Sequence, residues 1–101
     1  MKPVFSFHPG QTPLLISVPH SGTGLSDGLQ DQLTPHARQL PDTDWYVDRL
    51  YRWAMERGVA MLVANYSRFV VDLNRPPDNE ALYTGHGTGL LPEQCFDGSP
   101  V

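Results

Sequence analysis

The residue with the clearest chemical potential is His20, which directly follows an apolar run. Residues 14–18 read Leu-Leu-Ile-Ser-Val and predict a buried strand that ends at Pro19. Open α/β sheets place ligands and reactive groups at the carboxyl ends of their strands. A neutral imidazole there can bind Zn²⁺ or act as a base, whereas a lone histidine is more often an ordinary loop residue. The strand-end position favours the functional interpretation, and Gly22 would let backbone approach a ligand closely.

A second apolar run, residues 69–73, predicts a strand over 68–73 that delivers Asn74 and Arg75. An arginine at a strand end suits bidentate recognition of a carboxylate, and an asparagine adds amide donors beside it. The alternative is a structural pair that bonds Asp72, Asp78 or loop carbonyls. Arg68 is a second candidate for contact with a substrate anion, although a surface salt bridge is the simpler interpretation.

Two aspartates, Asp42 and Asp44, precede the strongest predicted helix. Helix capping explains at least one of them. Alternatively, one carboxylate turns inward as a metal ligand or orients His20, and Asp44 is the better candidate. A zinc site needs about three protein ligands. Of these three, the sequence offers one good ligand, His20, and one possible ligand, Asp44.

The other candidates are weaker. His8 and His36 sit beside prolines and are expected to face solvent, and aromatic loop residues such as Tyr66 and Tyr83 more often pack than catalyse. His86 could be a loop ligand, but nothing in its surroundings requires it. The chain contains no His-Glu-x-x-His or Cys-x-x-Cys pair, no Gly-x-Ser-x-Gly elbow and no phosphate loop.

Composition narrows the class of protein. With 101 residues, 40% hydrophobic and 18% charged, the chain fits one small globular domain and not a disordered segment. A net charge of −4 and scattered basic residues argue against binding of nucleic acid. No run is long enough to span a membrane, and the single Cys95 cannot form an internal disulfide. A cytoplasmic location is the expectation.

The elements that would position these residues follow from the hydrophobic pattern. We predict strands at 4–8, 14–18, 59–64 and 68–73, and a helix at 44–57. The strand at 14–18 has apolar residues on both faces, as expected of a parallel strand that is covered on both faces. The strand–helix–strand order is typical of a βαβ unit with a parallel pair.

Local signals refine this assignment. Thr43 or Asp44 is expected to cap the helix, and Gly58 to end it. Residues 21–43 are predicted to be an ordered loop with a short helical turn near 27–33. Residues 76–101 show no periodicity and are predicted to be an irregular tail of a single domain.

Three motifs in this order resemble the N-formylglutamate amidohydrolase (N-formylglutamate deformylase) family of histidine catabolism. They are Val18-Pro19-His20-Ser21-Gly22, the segment from Asp42 to Tyr51, and the segment from Ser67 to Pro76. The tail from Gly89 to Pro100 is similar too, so the resemblance covers nearly the whole chain. Family members are considerably longer, which implies that the chain is an N-terminal portion of such an enzyme.

The resemblance implies a fold and a chemistry. The family is held to share the phosphorylase/hydrolase-like α/β/α sandwich of zinc carboxypeptidases, with His20 in the first zinc-ligand loop and Asn74 and Arg75 gripping a substrate carboxylate. The carboxypeptidase pattern places a glutamate three residues after the histidine, where this chain has Thr23. Asp44 is therefore the candidate second ligand, and His20 and Asp44 are the expected catalytic and metal-binding pair.

The implied reaction is hydrolysis of N-formyl-L-glutamate to L-glutamate and formate by a metal-activated water, with zinc as the expected metal. The alternatives are a zinc amidase for another N-acyl amino acid, and an inactive fragment with an incomplete site. A small acidic amide is the expected substrate, and neither nucleic acid nor a membrane is an expected partner. Unpaired sheet edges would also permit self-association.

Overall fold

A computed structural model describes residues 3–78 and 89–101, which form a small mixed α/β structure. Its elements in chain order are β1 (Phe5–His8), β2 (Leu15–Val18), α1 (Leu29–Gln32), a 3-10 helix (Ala37–Gln39), α2 (Val47–Leu50), α3 (Arg52–Glu56) and β3 (Ala60–Ala64). The predicted helical turn near 27–33 is confirmed as α1. None of the helices in the described ranges is long and apolar enough to cross a membrane.

The three strands form one sheet in the order β1-β3-β2. β2 and β3 are parallel, with Leu15 opposite Ala60 and Val18 opposite Val63, so the predicted parallel pair is confirmed. β1 pairs antiparallel with β3 and lies at the edge, as expected for a short strand that ends at a Pro-Gly turn. Gly58 precedes β3 with a φ of 80°, which agrees with its predicted role in ending the helix.

One face of the sheet carries the first apolar core. Cross-strand partners share a face, so Ile16 and Val18 of β2 lie beside Met61 and Val63 of β3. Val47 of α2 and Met55 of α3 pack against the buried members of this group. Burying each large apolar side chain contributes about 1.5–3 kcal/mol, which holds both short helices against the sheet.

The opposite face of the sheet is open in the part of the chain that the structure describes. Phe5, Phe7 and Leu15 are 56%, 52% and 53% exposed. The expectation that β2 is covered on both faces is therefore wrong for the described residues. With Leu73 and Asn74, this face borders a groove of about 450 Å³.

The helix predicted over 44–57 is wrong in extent. Two short helices replace it, separated at Tyr51, and the first begins after Tyr46 in a left-handed conformation with a φ of 61°. No side-chain cap is formed there, so the predicted capping by Thr43 or Asp44 is also wrong. The amide of Asp44 bonds instead to the His20 carbonyl at 2.9 Å. This tertiary contact, in a segment rich in aromatic residues that form helices weakly, outweighs the hydrophobic pattern that predicts one continuous helix.

The prediction of a strand over 68–73 is also wrong. Ser67 begins a turn in which its hydroxyl accepts the Phe69 amide at 3.1 Å and its carbonyl accepts the Val70 amide at 2.9 Å. A serine that bonds nearby backbone in this way competes with strand pairing. The Asp72 amide then donates to the Leu90 carbonyl at 2.7 Å, which is a loop contact.

A second apolar cluster joins this turn to the C-terminal segment, residues 89–101. Its buried members are Leu33, Ala37, Leu40, Phe69 and Cys95. Residues 89–101 contain no helix or strand beyond an isolated bridge between Gln94 and Pro100. The segment is nevertheless packed, because Cys95 is only 3% exposed.

Candidate functional site

His20 lies in a short loop, residues 19–24, that backbone contacts hold beside the end of β3. The amide of Gly24 donates to the Asn65 carbonyl at 3.0 Å, and the Gly24 carbonyl accepts the Ser67 amide at 2.7 Å. At Gly22, a Cβ atom would lie 2.5 Å from the Tyr66 carbonyl oxygen. The structure thus places Gly22 against protein backbone, where the sequence suggested a bound ligand. This close approach fixes the loop that carries the imidazole.

The His20 ring is paired with a fully buried carboxylate. Its Nε2 atom lies 2.7 Å from Oδ1 of Asp72, and the side chains of His20 and Asp72 are 9% and 0% exposed. An ionised carboxylate only accepts hydrogen bonds, so Nε2 carries the proton and the Nδ1 lone pair of a neutral ring is left available. The sequence pattern predicts Asp72 only as one possible structural partner of Asn74 and Arg75. The sequence signal that could have identified Asp72 as a site residue is its position just before the candidate residues Asn74 and Arg75.

Two further donors stabilise the Asp72 carboxylate. Nη2 of Arg68 donates to Oδ2 at 2.8 Å, and the Asn74 amide donates to Oδ1 at 2.9 Å. Burial alone would raise the pKa of Asp72. The hydrogen bonds from His20, Asn74 and Arg68, together with the charge of Arg68, outweigh it and hold that pKa below the usual 3.8. Asp72 is therefore an anion at neutral pH.

Arg68 is enclosed by protein and is only 6% exposed, so its interpretation as a surface salt bridge is wrong. Besides Asp72, its guanidinium reaches the Asp42 carbonyl at 3.3 Å and stacks 4.6 Å from the centre of the Phe96 ring. The Asp42 carboxylate in turn accepts the Phe96 amide at 2.9 Å. These contacts make Asp42 a link between the site and residues 89–101, and neither a helix cap nor a partner of His20.

Asp44 stands on the other side of the imidazole. Its Oδ2 lies 3.7 Å from Nδ1 of His20, and its side chain is half exposed. Imidazole nitrogen and carboxylate oxygen are both zinc ligands, and this spacing suits two ligands of one ion. His20 and Asp44 therefore fit the predicted metal-binding pair. Asp72 contacts the other ring nitrogen, and within the described ranges no third histidine, cysteine or acidic side chain places a ligand atom close to both Nδ1 of His20 and the Asp44 carboxylate.

The predicted substrate-binding residues Asn74 and Arg75 are connected to His20 through the Asp72 carboxylate. The Asn74 amide and His20 Nε2 share Oδ1 of Asp72, and the Asn74 side chain is exposed. The Arg75 guanidinium donates to the Asn74 carbonyl at 2.8 Å and is partly buried. Substrate contacts by Arg68, Asn74 and Arg75 stay predictions, as does the catalytic role of His20 with Asp44.

The weaker candidates divide into three groups. Tyr83 and His86 lie outside the described residues. Tyr66 supports the loop at 19–24 through a backbone bridge with Gly24. His8 is exposed at the end of β1, and His36 is partly exposed and pairs with Asp97 at 3.1 Å.

Comparison with known proteins identifies the family. A family model described as N-formylglutamate amidohydrolase matches residues 12–101. The N-formylglutamate deformylases of Pseudomonas putida and Pseudomonas aeruginosa are each 52% identical over 101 residues, which is all of this chain and 38% of each relative. The chain thus spans well under half the length of the curated relatives that it matches.

A solved structure supports the fold. The crystal structure of N-formylglutamate amidohydrolase from Ralstonia eutropha JMP134 superposes with a TM-score of 0.74 at 23% identity, over 96% of this chain and 41% of that chain. At this identity the similarity concerns the fold alone. Because the family match covers nearly the whole sequence, the chain belongs to the N-formylglutamate amidohydrolase family.

Proposed function

We propose that the chain provides part of the active site of an enzyme that hydrolyses N-formyl-L-glutamate to L-glutamate and formate, a reaction of histidine degradation. The observation that carries this proposal is the ordered series Arg68–Asp72–His20–Asp44, in which a buried Arg68–Asp72 ion pair and a buried Asp72–His20 hydrogen bond hold one imidazole beside an accessible carboxylate. The two Pseudomonas relatives are named for this deformylation, which supports the choice of substrate.

The donor set fits a divalent metal, and zinc is the proposed ion. Nδ1 of His20 and a carboxylate oxygen of Asp44 would hold it. When bound, such an ion polarises a carbonyl oxygen and lowers the pKa of a coordinated water. Further ligands would have to come from beyond the described residues, since no third ligand of the usual types clusters with these two in them.

Asp72 and Arg68 act behind the imidazole in this proposal. Asp72 keeps the proton on Nε2, so that Nδ1 faces Asp44 with a free lone pair. Arg68 keeps Asp72 ionised and in place through its contact at 2.8 Å. This support role differs from the substrate contact expected of Arg68, and its burial favours the support role.

Asn74 and Arg75 are the proposed substrate-binding residues. The backbone of Asn74 is fixed by Asp72, which sets where both side chains begin relative to His20. A guanidinium suits bidentate binding of a substrate carboxylate, and an enzyme built around it disfavours amides that lack the acid. The acidic product and substrate each offer two such carboxylates.

We further propose that the described sheet is one part of the α/β/α sandwich that the resemblance implies. Its support is the open apolar face with Phe5, Phe7 and Leu15, which a second layer would cover. Among the described residues, β1 and β2 each have one edge that no strand pairs, and these edges would let the isolated chain self-associate. Sedimentation tests self-association: the chain alone should associate as its concentration rises, and strict monomers would contradict this idea. Binding of an apolar dye tests whether the sheet face is uncovered, and a chain that binds no dye would contradict that idea.

A chimeric deformylase tests the function. In it, these 101 residues replace the matching stretch of the Pseudomonas putida protein, which is 52% identical over that length. The chimeric deformylase should hydrolyse N-formylglutamate at a rate within about tenfold of the parent enzyme and strongly prefer it to N-acetylglutamate. A folded chimera that binds zinc but is inert, or that prefers the acetyl substrate, would overturn the assignment.

A further inference from the structure

Three side chains of metal-binding type meet outside the His20 site. His36 precedes the 3-10 helix, and Cys95 and Asp97 lie in the C-terminal segment. One potential ligand atom from each lies within 4.8 Å of the other two. Nε2 of His36 is 3.1 Å from Oδ2 of Asp97. His36 lies more than fifty positions before Cys95 and Asp97 in the sequence, so the cluster joins two distant segments.

A tight turn holds the two C-terminal members side by side. The Cys95 amide donates to the Ser99 carbonyl at 2.7 Å, and its carbonyl accepts the Gly98 amide at 2.9 Å. Gly98 has a φ of 88°, a left-handed conformation that favours glycine. The Ser99 amide and hydroxyl both donate to Oδ1 of Asp97, which leaves Oδ2 directed at His36.

We propose that His36, Cys95 and Asp97 bind a thiophilic divalent cation of the zinc class. A thiolate, an imidazole and a carboxylate form a donor set that Zn²⁺ accepts, with a fourth position left for water. The proposal is independent of the deformylase function, because it uses none of the residues of the His20 site.

Ligation would convert the Cys95 thiol to a thiolate and release its proton to solvent. Burial raises the pKa of this thiol, so in the absence of a cation the side chain is a neutral member of the apolar cluster. His36 and Asp97 are 45% and 59% exposed and give a cation access from solvent.

The bound cation would fasten the C-terminal segment to the loop before the 3-10 helix. A hydrogen bond from Thr34 Oγ1 to the Pro100 carbonyl at 2.8 Å already joins the same two segments. Phe96 lies between the two C-terminal ligands, and its ring covers the guanidinium of Arg68. The cation would thus also fix the ring that encloses Arg68.

Cobalt spectroscopy on the 101-residue chain tests the proposal. The metal-free, reduced protein is titrated with Co²⁺, and a near-ultraviolet thiolate-to-Co(II) charge-transfer band should appear at one equivalent and disappear when Zn²⁺ is added. Because Cys95 is the single cysteine in the sequence, any such band must arise from it. Absence of the band in folded protein would overturn the proposal.

Substitutions separate this site from a chance contact of metal with the thiol. His36→Gln and Asp97→Asn should each weaken Co²⁺ binding at least tenfold, while His8→Gln, at an exposed histidine of β1, should keep the band unchanged. Cys95→Ser should abolish it. If Cys95→Ser does not fold, the two exposed ligands decide the matter. A band that survives in both His36→Gln and Asp97→Asn would refute the three-residue site.

Discussion

Nε2 of His20 lies 2.7 Å from Oδ1 of Asp72, although 52 residues separate the two in the chain. The contact joins the loop after β2 to the segment that carries Asn74 and Arg75. It also orients the imidazole, because Asp72 itself is held by Arg68 and by the Asn74 amide. The Asp72 carboxylate therefore connects two parts of the site: the proposed metal ligand His20 and the proposed substrate-binding residues Asn74 and Arg75.

Asp72→Asn should impair the chimeric deformylase by about 10–100-fold in kcat/KM, the usual range for a carboxylate that orients a metal-binding histidine. The amide cannot provide the same anionic acceptor for both His20 and Arg68. Steady-state kinetics measure the loss, and Asp31→Asn, at an exposed position in α1, is the matched control. Equal activity of the two variants would mean that Asp72 does not support His20.

Arg68→Ala should destabilise the 101-residue chain by about 3–5 kcal/mol, because it leaves the Asp72 charge buried without its cationic partner. Urea unfolding followed by tryptophan fluorescence measures the change in free energy of unfolding. Arg52→Ala, on the exposed side of α3, should change it by less than about 0.5 kcal/mol. A similar small change for both variants would refute the structural role of Arg68.

The stability of the chain should depend on pH through Asp72. The folded pKa of Asp72 is lowered below 3.8, so its contribution is complete above the unfolded pKa and is lost as pH falls through the folded pKa. Urea unfolding from pH 6 to pH 2 should therefore show a loss of stability below about pH 4 that is smaller in Asp72→Asn. Identical pH profiles for both proteins would contradict this linkage.

Arg75→Ala should raise the KM of the chimeric deformylase for N-formylglutamate at least tenfold, since the substrate loses a charge-assisted bidentate contact. Arg75→Lys should recover part of the loss, because it keeps the charge but not the planar fork. Arg52→Ala serves as the control for a removed exposed arginine. An unchanged kcat/KM in Arg75→Ala would remove this residue from the substrate site.

Local sequence patterns were sufficient to predict part of the fold. The apolar runs located β2 and β3 and their parallel pairing, and Gly58 marked the end of the helical region. The same pattern failed at residues 68–73, where the Ser67 turn replaces the predicted strand. An apolar run of that length does not reveal which backbone groups will find partners elsewhere in the fold.

The sequence predicts the proposed metal ligands of the candidate site, but not the residues behind them that hold the imidazole in place. His20 and Asp44 were identified from position and type, and the structure places them 3.7 Å apart. The roles of Asp72 and Arg68 depend on long-range contacts that no local spacing encodes. For Arg68 in particular, the sequence favours a surface salt bridge. Its burial follows from the contacts with Asp72 and Phe96 in the folded chain.

The most direct test of the account is the zinc content and turnover of the chimeric deformylase with His20→Ala and, separately, with Asp44→Ala. Each variant should bind one zinc ion fewer than the parent chimera, because the site at Cys95 is unaffected, and should lose at least 100-fold in kcat/KM. His8→Ala, which removes an exposed histidine at the end of β1, should keep the zinc content and the turnover of the parent chimera. Full zinc content together with normal turnover in His20→Ala would contradict the central claim.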